Sequence, residues 1–104
     1  MPSTPGAPLS DALPVITVVR SPACHLCDDA LQILARLSEH TPLTIDVLEV
    51  RSDEGARLVA EHRPPMSPLV LLDGQFVSSG RLRAGRLLDL LRQRGVVVPL
   101  VAVQ

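Results

Sequence analysis

Lysine, asparagine, tryptophan and tyrosine are missing from this 104-residue chain, and Phe76 is its one aromatic residue. Without lysine there is neither a Schiff-base amine nor a phosphate-loop lysine. With one aromatic ring there is no platform on which successive nucleic-acid bases could stack. Charge of either sign is not in excess. Ten arginines stand against eleven acidic residues, a formal net charge of −1, so the chain has no electrostatic footprint for nucleic acid or an acidic membrane surface. No apolar run approaches the ~18 residues needed to span a bilayer. Cysteine is scarce as well. Two cysteines do not make a disulfide scaffold, and no second Cys pair is present to close a four-ligand zinc site.

What remains is 46% apolar, chiefly Leu, Val, Ile and Ala, at a length that suits one domain with its own core. Met1 to Leu13 is rich in Pro, Ser, Thr, Gly and Ala and reads as a disordered lead-in. It lacks the basic segment and apolar run of a secretory signal, so the expected location is cytoplasmic.

Pro14 to Arg20 is a β-branched run bounded by Pro14 and Ser21-Pro22, and it predicts a buried strand. From Cys24 the period changes: Leu26, Ala30, Ile33, Leu34 and Leu37 recur at helical spacing, with Asp28 and Asp29 in the first turn. That helix ends before Thr41-Pro42. Leu43 to Val50 predicts a second strand. Ser52-Asp53-Glu54 reads as an N-cap and acidic first turn, opening a helix to about His62. Pro64-Pro65-Met66-Ser67-Pro68 breaks any helix. Leu69–Leu72 and Gln75–Ser78 flank Asp73-Gly74, a strong hairpin signal. Leu82, Leu87, Leu88 and Leu91 mark a last helix, with Arg92 and Arg94 suited to its C-terminus and Gly95 to its cap. Phe76 is expected to pack on the hairpin face, and the arginines of the last helix to form a solvated face. The order β-α-β-α-β-β-α predicts an α/β protein with a mixed sheet of about four strands, parallel across the first crossover and antiparallel in the hairpin.

The chemistry concentrates at Cys24-His25-Leu26-Cys27, where the first strand turns into the first helix. A helix N-terminus favours an anion through its unpaired N–H groups and dipole, and thiols in such motifs titrate at about 7 or lower. The thiolate is the nucleophile. Cys27, nearly one turn on, is placed to attack a mixed disulfide at Cys24. Cys24 is therefore expected to be the exposed attacker and Cys27 the more buried resolver. Competing readings are an accidental spacing and a metal site. The second would use the same two cysteines to carry Cu(I), Zn(II) or a cluster shared between chains, with His25, His40 or His62 completing a zinc site. His40 falls at the far end of the helix, and the hairpin and terminal helix do not follow the order usual in metal-chaperone modules.

From Pro14 to Gly95 the chain resembles the glutaredoxin branch of the thioredoxin-like superfamily. Ser21-Pro22-Ala23-Cys24-His25-Leu26-Cys27 is similar to that family's active-site loop. Met66-Ser67-Pro68 is similar to its Thr-Val-Pro segment, Asp73-Gly74 to the hairpin turn after it, and Ser79-Gly80 to the step before the last helix. The resemblance implies a thioredoxin-like domain over residues 14–95 and a thiol–disulfide oxidoreductase that needs no bound cofactor. In it Cys24 and Cys27 are catalytic, Pro68 is cis, and Ser67, Pro68, Ser79 and Gly80 shape the substrate groove. The family's lysine ahead of the motif falls on Ser21. That leaves Arg20 and His25 as candidates for tuning the thiolate. Arg81-Leu82-Arg83 stands where glutathione-using relatives carry acidic residues, which favours a flavin-dependent reductase over glutathione as electron donor. The substrate is a disulfide in a protein or a small molecule. The apolar tail, 96–104, is expected to add an edge strand, cover a face or pair two chains.

Overall fold

The computed structural model describes residues 13–98. The lead-in before Leu13 and the tail beyond Val98 lie outside them. The elements follow the expected order: β1 (Val15–Arg20), α1 (His25–Ser38), β2 (Thr44–Glu49), α2 (Asp53–His62), β3 (Leu69–Leu72), β4 (Gln75–Ser79) and α3 (Ala84–Gln93). The strands form one sheet in the order β2-β1-β3-β4. β1 runs parallel to β2, from Val15↔Thr44 to Arg20↔Glu49. It runs antiparallel to β3, from Ile16↔Leu72 to Val19↔Leu69.

Alternation along β1 and β3 divides the core. Ile16, Val18, Val70 and Leu72 face Ala30, Leu34 and Leu37 of α1 and Leu87, Leu88 and Leu91 of α3. Val19, Leu69 and Leu71 face the other way, towards Leu58 of α2. Each leucine buried in this way contributes about 1.5–3 kcal/mol. Both faces of β3 are covered, and its four residues are all buried. β2 is an edge strand in which no residue is fully buried, although its composition alone reads much like that of β1.

Local chemistry sets the element ends. Ser52 caps α2 by accepting from the Gly55 N–H at 3.0 Å, while its own hydroxyl donates to the Glu49 carbonyl at 2.7 Å. The helix must pass close to β2 here, because a Cβ on Gly55 would stand 2.0 Å from the Glu49 carbonyl oxygen. In the β3–β4 hairpin both turn residues have positive φ, 49° at Asp73 and 84° at Gly74, which matches the twist of the flanking strands. Asp73 also accepts the Val15 N–H at 2.9 Å and pairs with Arg94 at the C-cap of α3.

Three expectations are corrected. Phe76 does not pack: it is 47% exposed, because it sits in edge strand β4, outside the cluster that Leu58 of α2 forms with Val19, Leu69 and Leu71. Leu82 is buried but precedes α3, which starts at Ala84. The α3 arginines are not simply a solvated face: Arg86 Nε donates to the Val77 carbonyl at 3.1 Å, and Arg94 holds Asp73. Of the apolar tail, Val96 and Val98 pack against the core while Val97 is exposed.

Candidate dithiol site

β1 ends at Arg20, and the Pro22-Ala23 turn carries the chain into α1. Ala23 has φ +50°, a conformation costing an L-residue about 1–2 kcal/mol. Cys24, extended at φ −116°, is the N-cap of α1. Its sulfur accepts the Cys27 N–H at 3.1 Å, as an N-cap serine oxygen would. Cys24 and Cys27 are joined by a disulfide with their Cα atoms 5.2 Å apart. The two differ in access: Cys24 is half-buried, whereas Cys27 has no exposed surface.

The strand register brings the other candidates to this end of the sheet. Val19 pairs with Leu69, and Leu69 with Ser79. Ser67, Pro68, Ser79 and Gly80 therefore lie at the edge from which β1 departs towards Cys24. The Ser67–Pro68 bond is cis, and Pro68 is fully buried. Its carbonyl accepts the Gly80 N–H at 3.0 Å, which stitches the two segments together. Ser67 and Ser79 are half-buried.

The two tuning candidates part company. His25 is exposed on the first turn of α1, one residue past Cys24. Arg20 lies 3.6 Å from Asp28 and 3.8 Å from Glu49, so its charge is shared between the first turn of α1 and the end of β2. Asp28 is one of the first-turn acids the sequence already marks; Glu49 carries no local signal, although the parallel register that sets it beside Arg20 follows from aligning the two strands. Arg63, the left-handed C-cap of α2, is exposed. Among the described residues no three His, Cys, Asp or Glu side chains are grouped to hold a metal ion. None of the described helices is long and apolar enough to cross a membrane.

A cleft of about 360 Å³ adjoins the motif, between the outer side of α1 and the segment entering α3. Leu26 and Ile33, two residues of the helical stripe, are half-buried and line this cleft, and Ile33 also packs against the core.

Two solved structures share the architecture. An uncharacterized thioredoxin-like protein from Clostridium perfringens superposes with a TM-score of 0.62 at 16% identity, covering 80% of this chain and 71% of that one. A malarial protein superposes with a TM-score of 0.57 at 14% identity, covering 80% of this chain and 98% of the other. No family model matches the chain, and no curated protein does. At such identities the likeness establishes the fold, which is thioredoxin-like with a cysteine pair at the start of its first helix.

Proposed function

We propose that the protein is a glutaredoxin-like thiol–disulfide oxidoreductase in which Cys24 is the nucleophile and Cys27 the resolving residue. The observation that carries this reading is the asymmetry of the pair. The half-buried Cys24 sulfur sits at a helix N-cap and accepts the Cys27 N–H, while the fully buried Cys27 is joined to it by a disulfide. In the reduced protein the same N–H and the helix dipole stabilise a Cys24 thiolate.

The thiolate attacks a substrate disulfide RS–SR′. A Cys24–SR bond forms, and R′S⁻ leaves and takes a proton. Cys27 loses its proton and attacks the Cys24 sulfur; RS⁻ departs, and the Cys24–Cys27 disulfide remains. Two electrons pass from protein to substrate, and an external donor returns them. The reading assigns that role to a flavin-dependent reductase rather than glutathione, on the cationic Arg81-Leu82-Arg83. It places the protein in the cytoplasm, where thiols are kept reduced. Ser67 and Pro68, with Ser79 and Gly80 beside them, form the groove for the substrate backbone. His25 tunes the thiolate, whereas Arg20, shared with Asp28 and Glu49, positions the loop.

The test is equilibration in thiol–disulfide buffers, with alkylation and mass spectrometry to count free thiols. The expected result is a reversible loss of two thiols with a midpoint between about −180 and −270 mV, the range of working dithiol catalysts. Two thiols that never pair under any buffer would overturn the assignment.

A further inference from the structure

The cleft beside the motif has its own electrostatic character. Leu26, which lies between the two cysteines, forms part of its lining with Ile33 and Leu82. Arg36 and Arg81 stand on its two sides, one on α1 and one on the segment entering α3, with Asp29 the one acidic group on the lining. Four other arginines, Arg20, Arg57, Arg92 and Arg94, are engaged with carboxylates. Arg36 and Arg81 are exposed and make no ion pair within 4.0 Å among the described residues. The cleft thus combines apolar surface with an excess of one uncommitted cation. It opens next to the residues that handle the disulfide.

Resting on the oxidoreductase reading, we propose that this cleft selects the substrate, and that the preferred substrate is a protein segment with acidic side chains flanking the attacked disulfide. A carboxylate two or three residues from the substrate cysteine enters between Arg36 and Arg81. Guanidinium forks match carboxylates with paired hydrogen bonds, and apolar neighbours cover Leu26 and Leu82. A basic segment would set its cations against both arginines. Because all three charges are exposed, the preference works mainly through encounter rate and register, and salt weakens it.

The test uses three disulfide-linked peptides that differ only in their flanks: acidic, neutral or basic. A small neutral disulfide serves as the control. The wild-type protein is expected to reduce the acidic peptide with a kcat/KM about tenfold above that of the basic one, a ratio that shrinks towards unity in ~1 M salt. The variant R36E/R81E reverses the order, and, with rates followed as oxidation of the chemically pre-reduced protein so that no electron donor takes part, leaves the rate on the small neutral disulfide unchanged. Equal rates on the three peptides, or an order untouched by R36E/R81E, would overturn the selection while leaving the oxidoreductase standing. Inactivity on the small disulfide would instead count against the oxidoreductase. The cleft is then judged by titrating peptides with serine in place of cysteine and following α1 amide resonances. Preference for the acidic peptide, lost in R36E/R81E, supports the cleft; indifference to peptide charge refutes it.

Discussion

Cys27 reaches Cys24 twice, through the disulfide and through a backbone N–H that donates to the Cys24 sulfur at 3.1 Å. The second contact is the capping bond of α1, and reduction of the disulfide is expected to leave it in place. A thiolate formed at Cys24 therefore has a donor already aimed at it. The Cys27 sulfur is sealed in the core and reaches only what is attached to its neighbour.

That asymmetry predicts different defects for the two serine variants. Cys24→Ser keeps a strong N-cap, folds, and loses disulfide reduction altogether. Cys27→Ser attacks substrate but cannot release it. Non-reducing gels or intact-mass spectrometry should show a mixed disulfide on Cys24 in the second variant and none in the first. Adduct on both variants in equal amounts would remove the distinction of roles.

Gly55 is where α2 crosses closest to the end of β2. Its N–H is bound by Ser52 Oγ, and an added Cβ would strike the Glu49 carbonyl. Gly55→Ala is expected to lower stability by about 2 kcal/mol or more, despite the better helix propensity of alanine. Urea unfolding measures it, and a neutral or stabilising result would show that α2 shifts freely.

Asp73 joins three elements, accepting from Val15 N, turning the hairpin and pairing with Arg94. Asp73→Ala leaves the Val15 N–H without its acceptor and puts alanine at positive φ, a loss of about 1–2 kcal/mol. Arg94→Ala removes a partly solvated ion pair alone and should cost less than about 1 kcal/mol. The order of the two unfolding midpoints is the readout.

Phe76→Gln should change stability by no more than about 0.5 kcal/mol, as expected for a side chain that is largely exposed and caps no helix. A loss of several times that size would mean that the ring is covered in solution.

Much of this architecture is legible in the sequence, because its signals are local. β-branched runs, helical spacing after Cys24, the Ser52 cap and the Asp73-Gly74 turn each act through neighbouring backbone. The Cys24-x-x-Cys27 pair is likewise local, with its position at a strand-to-helix junction readable from the change of period. The misreadings share a cause. Residue type and spacing point Phe76 and Leu26 to the interior, whereas their exposure depends on which element covers them.

The sequence by itself determined the element order, the site of the cysteine pair and the turn chemistry, since propensity, capping and period operate over a few residues. Only the tertiary structure decided that β2 and β4 are edges, that Ser67–Gly80 residues meet the end of β1, and that Arg20 spends its charge on Asp28 and Glu49. Those outcomes depend on register and on the lengths of the covering helices. They place side chains distant in sequence at one end of the sheet, and no local pattern records which neighbours they will have.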